Sequence, residues 1–231
     1  MNLSPTRYCP SGDRMLLIEF ESCISPAVQA LVQSVCRALE EDPIPGVLEW
    51  VPSYRSVAVV YDPVTITYQR LQEQVAQRCS KARPHAASGR LVKIPVCYGG
   101  ERGPDLEWIA SYHELSCEEV IRLHSGVEYV VYLLGFTPGF PYLGGLPPEL
   151  ETPRLAEPRP RVKAGTVGIG GRQTGIYTLD GPGAWRLLGA TPSRLFDVSS
   201  SEPFLLKAGD RVRFVPVSDS EYERLASRPS S

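Results

Sequence analysis

The sequence RVKAGTVGIG, residues 161–170, is followed by two more apolar segments, GIYTL at 175–179 and WRLLGA at 185–190. All three segments are short and β-like, and glycine-rich turns separate them. The same pattern extends back to VEYVVYLLGF at 127–136 and forward to RVRFVPV at 211–217. Many short strands joined by turns rich in Gly and Pro are typical of a barrel or sandwich. The C-terminal half is therefore predicted to form a small β-barrel or sandwich.

The N-terminal half has a different pattern, in which strands alternate with two amphipathic helices. A strand at 14–20 precedes Ser25, an N-cap followed by proline at the first helical position, and apolar residues then recur at helical spacing. Further elements are predicted at 47–51 (strand), 56–61 (strand), 67–79 (helix) and 91–97 (strand). The order βαββαβ is that of a ferredoxin-like sandwich, although the strand at 91–97 could belong to either half.

The polar stretch SKARPHAASG, residues 80–89, has the composition of a linker. We place a boundary near residue 85, which predicts an N-terminal α+β domain at 1–85 and a barrel domain at 86–231. Most of the 20 glycines and 22 prolines lie after residue 98, which supports this division. The barrel domain also carries three predicted helices, at 104–111, from the capping box Ser116-x-x-Glu119 to Gly126, and at 219–225.

The composition excludes several classes of protein. Hydrophobic residues make up 42% and charged residues 22% of the 231 residues, as in ordinary folded domains. With 24 basic and 26 acidic residues, the net charge of −2 does not favour binding to nucleic acid or an anionic membrane. No apolar stretch approaches the roughly 20 residues of a transmembrane helix, and no signal peptide is evident. We therefore expect a cytoplasmic protein.

The six cysteines include no C-x-x-C pair, and three histidines are available to complete a metal site. We expect free thiols and no metal. A disulfide framework is the less favoured alternative, because the chain lacks an export signal.

The glycine run GTVGIGGRQTG, residues 165–175, does not fit a nucleotide-binding loop. A Walker loop needs Lys and Ser or Thr after its last glycine, whereas Ile176 and Tyr177 follow here. Gln173 stands where a dinucleotide fingerprint has its third glycine. The run is better explained by tight turns or close approach of the backbone in a barrel. His124 lies at the end of a capped helix, where C-capping is the alternative to a functional role.

The loop GFTPGFPYLGGL, residues 135–146, concentrates aromatic side chains between glycines and prolines. Loops with so much aromatic surface are usually buried or bind something, so this loop indicates either a cleft or a partner interface. Four basic residues follow it, and they could clamp a carboxylate or phosphate or form a solvated face. They are Arg154, Arg159, Arg161 and Lys163.

Two segments of the sequence, residues 135–146 and 158–192, closely resemble the signatures of a known family. It is the 5-oxoprolinase B-subunit family, also called the KipI or allophanate hydrolase subunit 1 family. LHSGVEYVVYLLGF, IPVCYGGERGPDLEWIA, GDRMLLIEF and GDRVRFVPV match the same family in order, so the resemblance spans about residues 12–217. It implies an N-terminal α+β domain followed by a C-terminal cyclophilin-like β-barrel.

The resemblance implies one component of an ATP-dependent 5-oxoprolinase that converts 5-oxo-L-proline to L-glutamate, and a chain that is inactive alone. The expected partners are the C subunit, similar to allophanate hydrolase subunit 2, and the A subunit, of the LamB/YcsF type. ATP with Mg would be held by the complex rather than by a motif of this chain. The alternatives are a KipI-like inhibitor of a sensor histidine kinase and a component of an allophanate or urea amide hydrolase. Prolyl isomerisation is disfavoured, because the family resembles cyclophilin in fold rather than in active site.

The resemblance also implies site residues. The catalytic candidates are His124, Arg154, Gln173 and Thr174, and the substrate-binding candidates are Phe140, Tyr142, Gly165 and Tyr177. Gln173 and Thr174 could orient a lactam, and Arg154 could bind a carboxylate. The sequence departs from the usual family pattern at Lys163, Thr178, Gly181, Ala184 and Ala190. Ala190 takes a place often held by Arg, and the loss of that Arg removes a possible contact to an anion. The substrate or partner could therefore differ from that of the usual family member.

Overall fold

A computed structural model describes residues 5–21, 25–81 and 89–227 of the chain. The chain divides into two compact units, Met1–Ser88 and Gly89–Ser231. The linker centre and boundary predicted near residue 85 lie outside the described residues, and the domain division at 1–85 and 86–231 stays a prediction.

The N-terminal unit combines a four-stranded antiparallel sheet with two helices. Its elements are β1 (Arg7–Pro10), β2 (Met15–Glu19), α1 (Pro26–Glu41), β3 (Val47–Pro52), β4 (Ser56–Tyr61) and α2 (Tyr68–Lys81). The strand order is β1-β2-β4-β3. The hydroxyl of Ser25 accepts a hydrogen bond from the N–H of Val28 and caps α1, as predicted. Apolar side chains from both helices and alternate positions of the strands form a single core.

The C-terminal unit is built on a closed barrel of seven strands. Its elements are β5 (Leu91–Tyr98), α3 (Leu106–Tyr112), α4 (Cys117–Ser125), β6 (Tyr129–Leu134), β7 (Pro141–Gly144), β8 (Arg159–Val162), β9 (Thr166–Gly170), β10 (Gln173–Ile176), β11 (Gly181–Gly183), β12 (Arg186–Ala190), β13 (Arg211–Pro216) and α5 (Asp219–Ala226). Around the barrel the order is β10-β7-β6-β13-β5-β12-β9, and β8 pairs with β11 outside it. The α+β class with a C-terminal β-barrel is therefore confirmed.

The order of elements in the N-terminal unit differs from the predicted βαββαβ. The predicted last strand, β5, lies in the barrel, where it pairs in parallel with β13 and antiparallel with β12. A strand that the sequence pattern did not reveal, β1, pairs with β2 at the edge of the N-terminal sheet. The unit is thus ββαββα. β5 pairs with β13 along six residues, and this long pairing fixes its place in the barrel.

α3 and α4 each pack on the barrel through one buried face. α4 begins with the predicted capping box, in which Ser116 and Glu119 each bond the other's backbone N–H. Val120 and His124 of α4 are buried, and Ile109 of α3 joins the same apolar cluster as Val120. None of the helices in the described part of the chain combines the length and apolar composition of a bilayer-spanning segment. The cysteines within that part are free thiols.

The glycine run forms the hairpin of β9 and β10 rather than a loop before a helix. A Cβ atom on Gly170 would lie 2.5 Å from the Trp185 indole, and one on Gly175 would lie 3.0 Å from the Phe140 ring. The Cβ atom on Gly175 would also lie 2.7 Å from the carbonyl oxygen of Pro141, so a side chain at either position would force its neighbours to move. The glycines therefore let aromatic rings approach the barrel backbone closely.

Candidate functional site

A cleft with a volume of about 280 Å³ opens on the surface of the C-terminal unit. Five of the residues that line it are aromatic, so we call it the aromatic cleft. Its lining residues are Phe136, Phe140, Tyr142, Arg154, Pro158, Tyr177, Pro182, Gly183, Ala184 and Trp185. Arg154 is the one charged residue in this set.

Phe140 is the centre of the aromatic cleft. Its buried ring meets Tyr177 at 5.4 Å and Trp185 at 5.5 Å between ring centroids, both edge-to-face. Phe136 packs on the same ring at 5.6 Å, also edge-to-face. Edge-to-face pairs of this kind are favourable because the positive edge of one ring faces the negative face of the other. The walls are therefore largely aromatic and apolar.

Phe136 is held at the rim in an uncommon backbone conformation. Its φ of 60° lies in the left-handed region, which is costly for a bulky residue, and its side chain is 62% exposed. Two hydrogen bonds of the Thr178 side chain connect to the rest of the loop. The hydroxyl of Thr178 donates to the carbonyl of Pro138 at 2.7 Å and lies 3.0 Å from the hydroxyl of Thr137. Thr178, a departure from the family pattern, thus connects the aromatic loop to the segment that follows β10.

Arg154 differs from the other arginines around the cleft in having no carboxylate partner. Arg159 pairs with Asp105 at 2.8 Å, and Arg161 pairs with Asp180 at 2.6 Å. Arg154 forms no ion pair with any residue within 5–21, 25–81 or 89–227, and its guanidinium lies 5.7 Å from the centre of the Trp185 ring. An unpaired guanidinium beside an apolar pocket is suited to bind an anionic group of a ligand.

Two tyrosine hydroxyls add neutral hydrogen-bonding groups. Burial raises the pKa of both Tyr142 and Tyr177, so their hydroxyls stay protonated at neutral pH. The backbone of Trp185 hydrogen-bonds to the Tyr177 hydroxyl. Flat apolar walls, one cation and two phenols suit a small planar molecule that carries one anionic group.

The aromatic cleft does not suit a magnesium nucleotide. Its lining contains no carboxylate that could bind Mg²⁺ and a single cation to face several phosphates. In the described part of the chain, no three His, Cys, Asp or Glu side chains come together as metal ligands.

His124 and Thr174 form a buried hydrogen-bond network away from the cleft. Thr174 Oγ1 donates to the carbonyl of Gly168 at 2.9 Å, so it accepts from the Nε2–H of His124 at 2.9 Å. Nδ1 of His124 then accepts from the Tyr98 hydroxyl at 2.8 Å. His124 is fully buried and stacks on Phe214. Burial lowers its pKa to about 3, so the ring is neutral. This network joins α4 to the β9–β10 hairpin.

Comparison with known proteins identifies the family. A profile described as the carboxyltransferase domain, subdomain C and D, matches residues 6–206. The chain is 42% identical over 222 residues to the B subunit of 5-oxoprolinase from Bacillus subtilis (strain 168), an alignment that covers 91% of this chain and 92% of the relative. The chain belongs to the 5-oxoprolinase B-subunit family. The resemblance seen in the motifs is thereby confirmed.

Two solved structures contain this fold as part of a longer polypeptide. A crystal structure of TTHA0988 matches with a TM-score of 0.79 and 40% identity over 89% of this chain. This chain spans 40% of that polypeptide. The crystal structure of the K. lactis urea amidolyase matches with a TM-score of 0.79 over 97% of this chain and 16% of its own, at 23% identity. At that identity the likeness is one of fold alone.

The structure brings together four of the eight residues expected from the family resemblance, namely Phe140, Tyr142, Arg154 and Tyr177. His124 and Thr174 lie in the buried network instead. Gln173 starts β10, is half-buried and does not line the cleft, while Gly165 lines a second groove of about 480 Å³ that shares Tyr177 with the cleft.

Two major lining residues were absent from the expected site. Phe136 belongs to the aromatic loop at residues 135–146, and the aromatic composition of that loop is a signal in the sequence that identifies it. Trp185 comes from a distant segment, and only the folding of β12 beside β9 brings it to the cleft. Ala190, where the family often has Arg, is buried in β12 and does not line the cleft.

Proposed function

We propose that this chain is the B subunit of an ATP-dependent 5-oxoprolinase, which hydrolyses 5-oxo-L-proline to L-glutamate. The aromatic cleft with its unpaired Arg154 is the observation that carries the proposal. 5-Oxo-L-proline is a small five-membered lactam with one carboxylate, which matches a pocket with flat apolar walls and one guanidinium. The name of the Bacillus subtilis relative, which is that of a 5-oxoprolinase component, supports the same function.

In this proposal the chain binds and orients the substrate rather than supplying a nucleophile. Arg154 holds the carboxylate, and the rings of Phe140 and Trp185 exclude water from the lactam faces. In this pose the lactam carbonyl oxygen lies in a pocket that the protonated phenols of Tyr142 and Tyr177 also line. When ATP is bound by the complex, phosphorylation of that oxygen would make the amide easier to open.

The proposed complex contains two other proteins, the C subunit, similar to allophanate hydrolase subunit 2, and the A subunit, of the LamB/YcsF type. Because the relatives are named as one subunit of an enzyme, their names support the need for partners. Because the aromatic cleft does not suit Mg·ATP, we expect the complex as a whole to hold the nucleotide and the chain alone to be inactive.

Reconstitution tests the proposal. The chain is co-purified with the two partner proteins, and release of glutamate and ADP from 5-oxo-L-proline and ATP is measured. We expect turnover from the full mixture and none when this chain is omitted. Turnover that does not require this chain would overturn the proposal.

Two variants test the assignment of residues in the same assay. Arg154→Ala and Gln173→Ala should each sharply lower the activity of the reconstituted complex and leave folding intact, although the half-buried amide of Gln173 lies outside the cleft. Unchanged activity of either variant would remove that residue from the site.

The regulatory and urea-related alternatives predict different results. A KipI-like regulator would bind a sensor histidine kinase, lower its autophosphorylation and release no glutamate in the reconstituted mixture. A component of an allophanate or urea amide hydrolase would release ammonia from those amides but not glutamate from 5-oxo-L-proline.

A further inference from the structure

Arg154 lies in a short irregular segment that is anchored on its N-terminal side by Thr152. Thr152 is fully buried and forms two backbone hydrogen bonds with Gly171, at 3.2 and 2.7 Å. Gly171 is in the turn of the β9–β10 hairpin. The segment is thus attached to the barrel two residues before Arg154.

The side chain of Thr152 is also fully engaged. Its hydroxyl donates to the carbonyl of Leu150 at 2.8 Å. Since that uses its one proton, it accepts from the Nε2–H of His113 at 3.0 Å. His113 follows the last residue of α3, so a single buried hydroxyl joins α3 to the segment that carries Arg154.

The segment is anchored again directly after Arg154. The N–H of Leu155 donates to the carbonyl of Ala184 at 2.7 Å, and Ala184 immediately precedes Trp185. Between the two anchors, Pro153 fixes its own φ near −65°. Arg154 therefore starts from a backbone position with little freedom, and its guanidinium lies 5.7 Å from the centre of the neighbouring Trp185 ring.

We propose that Thr152, held by His113, is a positioning residue that places the Arg154 guanidinium over Trp185 at the mouth of the aromatic cleft. A long arginine side chain loses much rotamer freedom when it binds an anion, and an anchored backbone reduces that loss. The effect on 5-oxo-L-proline rests on the proposed function, whereas the placement of Arg154 does not.

The placement is tested by NMR on the full chain without substrate. The chain has three tryptophans, so the indole N–H signal of Trp185 can be assigned with Trp185→Phe. Arg154→Ala should move this signal, because the cation leaves the ring. Thr152→Val should move the Trp185 signal in the same direction. Thr152→Ser, which keeps the hydroxyl, should leave the signal at its wild-type position.

The matched control is Thr166→Val, which removes a buried hydroxyl that donates to the carbonyl of Lys163 in the same barrel. It should leave the Trp185 signal in place. His113→Leu should reproduce a smaller shift and His113→Gln, which keeps an N–H donor, should not. The proposal is overturned if Thr152→Val leaves the signal unmoved, or if Arg154→Ala itself does.

In the reconstituted complex, Thr152→Val should raise KM for 5-oxo-L-proline about threefold to tenfold and leave kcat within about twofold. A general structural defect would lower kcat as well, and Thr152→Ser would not rescue it. If the wild-type complex does not act on 5-oxo-L-proline, the proposed function fails while the NMR result still decides the positioning role.

Discussion

The guanidinium of Arg154 is the one charge among the residues that line the aromatic cleft. In the reconstituted complex, Arg154→Ala should raise KM for 5-oxo-L-proline by about tenfold to a hundredfold, the usual effect of losing a hydrogen bond to a charged group. Steady-state kinetics measures this. Arg224→Ala is the control, because Arg224 is an exposed arginine on α5 that pairs with Glu221. Equal effects of the two substitutions would contradict the role of Arg154.

Gly170 is predicted to be required for the position of Trp185. In Gly170→Ala the new methyl group would lie 2.5 Å from the indole, so the ring must move. We expect a loss of about 1–3 kcal/mol in the free energy of unfolding, as for other overpacked sites. Gly181→Ala is the control, since nothing lies within 4 Å of its Cβ position. Urea unfolding compares the two variants, and a Gly170→Ala protein as stable as Gly181→Ala would refute the argument.

His124 makes stability depend on pH. The unfolded chain takes up a proton at this residue below its ordinary pKa of about 6.5, whereas burial lowers the pKa to about 3 in the folded protein. The contribution of neutral His124 to the free energy of unfolding is therefore fully present above pH 6.5, and it is lost as the pH falls from 6.5 towards 3. From pH 7 to pH 5 this residue should remove about 2 kcal/mol from the free energy of unfolding.

The measurement is urea unfolding at both pH values for the wild type and His124→Gln. The variant keeps an N–H donor for Thr174 but cannot titrate. We expect a smaller difference between pH 7 and pH 5 in the variant than in the wild type. If the wild type and His124→Gln lose the same free energy of unfolding between pH 7 and pH 5, His124 does not cause the pH dependence.

At the level of single elements, the N-caps of α4 and α5 should have unequal effects on stability. Ser116 caps α4, which buries Val120 and His124, whereas Ser218 caps α5, which has no buried residue. Ser116→Ala should lower the free energy of unfolding by about 1 kcal/mol, the usual cost of losing such a cap. Ser218→Ala should instead speed hydrogen exchange within α5 and leave the unfolding midpoint unchanged. Equal shifts in midpoint would contradict this distinction.

Most elements could be predicted because their signals are local. Ser25, the Ser116–Glu119 capping box and the regular spacing of apolar residues define helices without reference to the rest of the chain. β1 escaped prediction because its four residues, RYCP, carry no alternating pattern. The strands that pair with β5 could not be deduced, because the sequence of a strand does not determine which sheet it joins or which strand it pairs with.

The residues of the candidate site also differ in whether a local sequence signal is enough to predict them. Phe140, Tyr142, Arg154 and Tyr177 were identified from motifs and do line the aromatic cleft. His124 and Thr174 come from the same motifs, but whether a polar side chain faces a cleft or the core depends on the packing around it. Trp185 needed the register of β12 against β9.

For the whole molecule, the two units have separate apolar cores. We therefore expect residues 1–88 and 89–231, expressed separately, each to fold and to unfold cooperatively. Circular dichroism during thermal unfolding measures this. Full-length protein should show the sum of the two spectra, and a fragment 89–231 without a cooperative transition would contradict the independence of the barrel.

The parallel pairing of β5 with β13 joins residues about 120 positions apart, since Leu91 lies opposite Arg211. During synthesis the ribosome therefore releases the whole N-terminal unit, and nearly the whole barrel, before the strand that seals the barrel has emerged. The N-terminal unit can complete its core while translation continues. In contrast, the edge of β5 that pairs with β13 stays unpaired until β13 has been synthesised. Ribosome-bound chains that stop short of residue 211 should consequently resist protease in the first unit and remain sensitive in the second.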